Sequence, residues 1–167
     1  DTETADMAIR AALTGHLVFS TLHTNRAAGT VARLLDMGVE PYLLAACLVG
    51  VISQTLVRRL CPQCKEAYFA TPEEKACLDL DEEVITLWRG KGCDQCNHTG
   101  FRGRVAAGEI LHIYPAHREL IAKKATPQQI DMLSSKLGLS ALKESGFELV
   151  KNGVTTTEEI LRVIYDG

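Results

Sequence analysis

The chain has 167 residues, enough for one ordinary domain with its own core plus a small module, and its 46% hydrophobic and 23% charged composition is that of a globular protein, not a disordered or fibrous one. A formal charge of −3, with acidic and basic residues interspersed, gives no electrostatic footprint for nucleic acid or a membrane surface. The most apolar run, Tyr42 to Ile52, is about half the ~20 residues a bilayer-spanning helix needs, and the polar opening at Asp1 has no signal-peptide pattern.

Apolar residues at Ala5, Ala8, Ile9, Ala12 and Leu13 recur at helical spacing, and Gly15 is a natural stop, so the pattern predicts a helix from Thr2 to Thr14. Leu17, Val18 and Phe19 read as a short buried strand that opens into the polar series Ser20, Thr21, His23, Thr24 and Asn25. Asn25 is the expected N-cap of a helix running to Met37, with Gly38 as its stop. Pro41 begins another helix to about Gly50, and Gln54 to Leu60 is expected as a strand. Arg104 to Ile113 is a further strand, and the chain is helical from Pro115 onward. Thr126 with Gln129 and Thr156 with Glu159 are capping-box patterns that place helix starts near Pro127 and Thr157.

Cys61-Pro62-Gln63-Cys64 and Cys93-Asp94-Gln95-Cys96 are two CxxC pairs, each able to curl around a metal with both thiolates inward. Two such knuckles facing each other make the tetrahedral cage that zinc prefers, with no open position for water, so the expected role is structural. The 28 residues between the pairs, Lys65 to Gly92, exceed the usual ribbon insert, which weakens the spacing as a signal. Two disulfides, a thioredoxin-like redox pair and an iron–sulfur cluster are the other readings of the four thiols. Cys47 and Cys77 read as ordinary packed or surface residues, and His98 as a weak competitor for a ligand place.

The polar loop stands between an expected strand and a helix start. The carboxyl ends of strands in open α/β sheets, and helix N-termini there, receive phosphate groups. On composition alone a capped loop with a surface histidine is the simpler reading. Asp1-x-Glu3-Thr4-Ala5, Gly15-His16-Leu17-Val18-x-Ser20-Thr21-Leu22-His23-Thr24-Asn25 and Arg33-Leu34-x-x-Met37-Gly38 together resemble the histidine-box region of the ATPases of type II secretion and type IV pilus assembly. The resemblance continues through Gln54, Leu56-Val57-Arg58-Arg59-Leu60-Cys61-Pro62-x-Cys64, Gly92-Cys93-x-x-Cys96-x-x-Thr99-Gly100, Gly103-Arg104 and Gly153-x-Thr155-Thr156-x-Glu158-Glu159.

The resemblance implies an α/β fold, the later part of a RecA-like P-loop ATPase core with an inserted tetracysteine zinc module and a helical C-terminal segment. It divides the chain into 1–60 (later core with histidine box), 61–103 (zinc module) and 104–167 (a strand, then helices). By the same resemblance His16, Thr21, His23 and Thr24 line the nucleotide site and sense its γ-phosphate, and the four-cysteine motif points to an assembly motor instead of a retraction motor. It further implies a hexamer at the cytoplasmic face of the inner membrane, docked on membrane platform proteins, with ATP and Mg2+ bound only in the intact protein.

No GxxxxGK followed by Ser or Thr occurs in the chain, and the family's acidic box and Walker B segment are expected upstream of Asp1. The chain thus reads as a C-terminal fragment, with no complete catalytic set and unable to hydrolyse ATP by itself. An incomplete sheet of this kind is expected to expose a strand edge. Thr55 stands where the family commonly carries an arginine, so no contact is assigned there. Arg58, Arg59, Arg102 and Arg104 flank the cysteines and are expected mainly to solvate the module, with a subunit interface as the other reading. A zinc-ribbon module gripping nucleic acid and a protein-docking platform are the rival functions. Near-neutral charge and the lack of aromatics between the arginines argue against nucleic acid.

Overall fold

A computed structural model describes residues 1–78, 83–139 and 141–165. Helix α1 (Thr2–Leu13) is capped by Asp1, whose side chain accepts the Thr4 N–H at 2.8 Å. After a stretch without regular structure come α2 (Ala27–Asp36), α3 (Pro41–Cys47) and the long strand β1 (Gly50–Leu60). The stretch between the cysteine pairs forms β2 (Lys65–Phe69), α4 (Pro72–Cys77) and β3 (Thr86–Gly90), and Asp94–Cys96 makes a single 3₁₀ turn. Strand β4 (Phe101–His112) leads to α5 (Pro115–Ala122), α6 (Pro127–Lys136), α7 (Leu142–Lys151) and α8 (Thr157–Tyr165).

The chain divides into two compact units, Asp1–Ser53 with Glu109–Ala141, and Gln54–Gly108 with Leu142–Gly167. Strands β1 and β4 form a two-stranded sheet, and each passes through the division. In the first unit α1, α2, α3, α5 and α6 bury Ile9, Val31, Leu44, Leu111, Ile121 and Ile130. Arg118 of α5 closes the end of α3, donating to the carbonyls of Ala45 and Ala46. His117 is fully buried: its Nδ1 accepts the Tyr114 N–H at 3.2 Å, and its Nε2 lies 3.1 Å from Ser134 Oγ of α6.

In the second unit Val57, Leu78, Ile85, Leu87, Ala107, Phe147, Val150 and Ile160 form the core. Strands β2 and β3 pair antiparallel, with Lys65 opposite Gly90 and Phe69 opposite Thr86. Helices α7 and α8 pack closely at Gly146, where a Cβ would stand 2.6 Å from Ile160 Cγ2.

Three expectations need correction. Leu17, Val18 and Phe19 form no strand: Leu17 is 78% and Phe19 88% exposed, and no strand among the described residues lies beside them to take their backbone hydrogen bonds. Asn25 is not the cap of α2; Arg26 occupies that place without a side-chain cap bond. The helix from Pro41 stops at Cys47, because Leu48 is already extended and the chain enters β1 at Gly50.

Candidate functional site

The first knuckle follows directly from the end of β1, with the Cys64 N–H donating back to the Cys61 carbonyl at 3.3 Å. The second is the 3₁₀ turn after β3. There the Cys96 and His98 amides both donate to the Cys93 carbonyl, and Asn97 (φ 49) and His98 (φ 59) take left-handed backbone to close it. Two hydrogen bonds tie the knuckles together: Cys61 N–H to Gly100 O at 2.9 Å, and Lys91 N–H to Cys64 O at 3.1 Å.

That closeness requires glycine. A Cβ on Gly90 would lie 2.2 Å from the Gly100 carbonyl oxygen, and one on Gly92 would lie 2.6 Å from the His98 carbonyl oxygen. Both obstacles are backbone, which cannot swing aside as a side chain can.

The result is a cluster of four sulfurs, all within 4.8 Å of one another. Cys61 Sγ to Cys93 Sγ is 3.9 Å, Cys64 Sγ to Cys96 Sγ is 3.8 Å and Cys93 Sγ to Cys96 Sγ is 3.8 Å. Four sulfurs placed tetrahedrally at roughly 2.3 Å from a zinc ion stand about 3.8 Å apart, so the donor set fits that ion in identity, number and spacing. All six cysteines are free thiols.

The electrostatics of the four thiols favour a cation among them. Burial opposes a charged Cys96, but the N–H groups of Cys93 and Gly100, 3.2 and 3.3 Å from its sulfur, outweigh it and bring its pKa down to about 6. Burial first, and then the neighbouring thiols, push Cys64 up to about 12 and raise Cys93 as well. Four thiolates cannot ionise side by side without a positive centre among them, and these four cysteines can hold a metal ion.

The cluster is braced from far along the chain. Leu60 N–H donates to Val154 O at 2.8 Å, and the buried Thr155 Oγ1 donates to Arg58 O at 2.7 Å. Glu159, 2% exposed, accepts from the Arg58 N–H at 3.0 Å and the Arg58 guanidinium at 2.7 Å, with Arg162 at 3.3 Å. Burial works against this carboxylate, but Arg58 and Arg162 overcome it and hold its pKa at about 2. Arg58 also lies over the Phe101 ring, 4.2 Å from its centroid. Arg58 therefore has a structural task, while Arg59 and Arg104 are exposed and Arg102, also exposed, donates to Gln95 at 3.4 Å.

Sequence reasoning missed this brace. Glu159 read as half of a capping box, but its carboxylate goes to a residue 101 positions earlier, while Thr156 Oγ1 still accepts the Glu159 N–H at 3.4 Å. The hairpin and helix between the cysteine pairs were also missed, although Thr71-Pro72-Glu73-Glu74 carried the signal: it forms a full capping box on α4. His98 pairs with Asp94 at 3.1 Å, Cys77 is exposed, and Cys47 is half-buried in α3.

The polar loop lies in the other unit. His16, Thr21 and His23 are exposed and Thr24 is half-buried. His16 Nδ1 lies 3.0 Å from Thr14 Oγ1, Thr24 Oγ1 lies 2.7 Å from the buried Thr30 Oγ1, and the His23 side chain has no hydrogen bond among the described residues.

Residues 1–162 match the family described as Type II/IV secretion system protein. The chain is 45% identical over 164 residues to the type II secretion system ATPase E of Vibrio cholerae, covering 98% of this chain and 32% of that protein. It is 42% identical over 166 residues to the type IV pilus assembly ATPase PilB of Myxococcus xanthus, covering 96% and 29%. The chain thus spans about a third of the length of these curated relatives. Among solved structures it resembles the pilus retraction motor PilT with bound ADP at a TM-score of 0.62 and 26% identity, covering 98% of this chain and 36% of that one. The Legionella pneumophila ATPase DotB matches at a TM-score of 0.61 and 20% identity, covering 100% and 37%. These are RecA-like P-loop folds, and the chain has the fold of the later part of such a core, carrying a four-cysteine cluster. The chain belongs to the type II/IV secretion ATPase family.

Proposed function

We propose that this chain is the C-terminal part of a hexameric motor ATPase that works at the cytoplasmic face of the inner membrane. Docked on membrane platform proteins, the motor drives pseudopilin or pilin subunits into a growing fibre, for type II secretion or type IV pilus assembly. The observation that carries this reading is the family match over residues 1–162, at more than 40% identity to ATPases of both machines.

In this reading Cys61, Cys64, Cys93 and Cys96 hold a structural zinc ion, supported by the spacing of their sulfurs. The zinc supplies a fixed crosslink between the end of β1 and the turn after β3, and no position for substrate. His16, Thr21, His23 and Thr24 face the nucleotide in the intact motor, where ATP and Mg2+ bind. The 167-residue chain contains no phosphate-cradling GxxxxGK segment, and by itself it does not hydrolyse ATP.

The test has two arms. Elemental analysis of the purified protein is expected to give about one zinc per chain, absent from a Cys61→Ser, Cys64→Ser variant. Full-length protein is expected to hydrolyse ATP, with turnover lost in His23→Ala, while the 167-residue chain shows none. Zinc-free protein that folds normally refutes the metal assignment, and a full-length protein without ATPase activity refutes the motor.

A further inference from the structure

The polar loop ends in a clamp built by groups outside it. Helix α2 begins at Ala27, and its N-cap Arg26 offers no side-chain bond to the first amides of the helix. The Ala27 N–H instead donates to the carboxylate of Glu109, reaching across from β4. Both partners are buried, Ala27 at 2% and Glu109 at 7% exposure. Arg26 pairs with Asp131 of α6 at 3.1 Å. Thr24 is tied to Thr30 in the first turn of α2, and Ser53 Oγ of β1 donates to the Asn25 carbonyl at 3.2 Å. Residues 24–27 are held by four elements, while 14–21 just before them are exposed.

A carboxylate on the first amide of a ten-residue helix meets an N–H that has no partner within the helix, at the positive end of the helix dipole. Without it, a buried donor is left unsatisfied and the helix can fray back from Ala27. His23 sits four residues before that point, so any shift in the start of α2 moves the histidine.

We propose that Glu109 is a positioning residue for the histidine loop: by anchoring Ala27 it fixes the backbone of residues 24–26 and with it the placement of His23. The inference rests on the reading of His16, Thr21, His23 and Thr24 as the nucleotide-sensing group. In this role Glu109 acts through the loop.

The experiment uses full-length protein carrying Glu109→Ala, Glu109→Gln, His23→Ala, or Glu109→Ala with His23→Ala. Amide exchange by mass spectrometry reads the clamp directly. Exchange across residues 22–30 is expected to be about fivefold faster or more in Glu109→Ala, the size of a lost helix cap, and restored most of the way in Glu109→Gln, which keeps an acceptor oxygen. ATP turnover reads the consequence. kcat is expected to fall roughly tenfold or more in Glu109→Ala with KM nearly unchanged and to recover in Glu109→Gln, and the double variant should be no slower than His23→Ala alone. Unchanged exchange in Glu109→Ala overturns the clamp whatever the activity does, and so does a Glu109→Gln variant as impaired as Glu109→Ala. Additive losses in the double variant overturn the action through His23. If His23→Ala leaves turnover intact while Glu109→Ala still loosens the loop, it is the nucleotide-sensing reading that falls, and with it the proposed effect on catalysis.

Discussion

Two single residues bear on how the cysteine knuckles are held. Gly90 lies against the Gly100 backbone, and an added methyl would stand 2.2 Å from a carbonyl oxygen that cannot yield. Gly90→Ala is expected to cost about 1–3 kcal/mol by overpacking and to reduce the metal retained after dialysis, measured as zinc per chain against the parent. Glu159 acts through charge. Its folded pKa of about 2 lies below the 4.5 of a free glutamate, so its stabilisation is complete above pH 4.5 and is lost as pH falls through 2. Arg58 and Arg162 are each half-exposed, which screens the pair and sets the contribution on the order of 2–3 kcal/mol. Glu159→Gln should lower stability by about that amount at pH 7, and roughly half of the difference should be gone at pH 3. Urea unfolding at the two pH values checks it; an equal loss at both would mean that Glu159 acts by packing and not by charge.

The element ends show where local chemistry is sufficient and where it is not. Thr126 and Gln129 form the capping box on α6 that their spacing demands, with Gln129 Oε1 accepting the Thr126 N–H at 2.8 Å and Thr126 Oγ1 accepting the Gln129 N–H at 3.4 Å. Thr126→Ala is expected to destabilise the protein by about 1 kcal/mol, read as a lowered urea midpoint at unchanged slope. Thr71 and Glu74 do the same for α4, a box legible in the sequence and overlooked there. Helix α2 is the opposite case, because its cap comes from Glu109, 82 positions later, and no local pattern marks it. Leu17, Val18 and Phe19 carry strand-like composition and remain exposed. A strand exists only when a second strand takes its hydrogen bonds, and no run of apolar residues can supply that by itself.

At the scale of the whole molecule the four cysteines all fall within one compact unit, Gln54–Gly108 with Leu142–Gly167. Removing the proposed metal should therefore weaken that unit first. A strong chelator is expected to lower the first thermal transition and to speed amide exchange in residues 54–78, 83–108 and 142–165 before residues 1–53 and 109–139. Uniform loss of protection across both units would show a single cooperative block instead. By itself the sequence determined the α/β class, the family, the four cysteines, helix α1 to within a residue and the starts of α5, α6 and α8, because helical periodicity, capping boxes and CxxC spacing act over three or four residues. Only the tertiary structure decided that Glu159 braces the strand leading into Cys61, that Glu109 caps α2, and that Gly90 and Gly100 must touch. Each of these contacts joins groups placed together by packing and not by sequence spacing, so the burial and charge that define them exist only once the chain has folded.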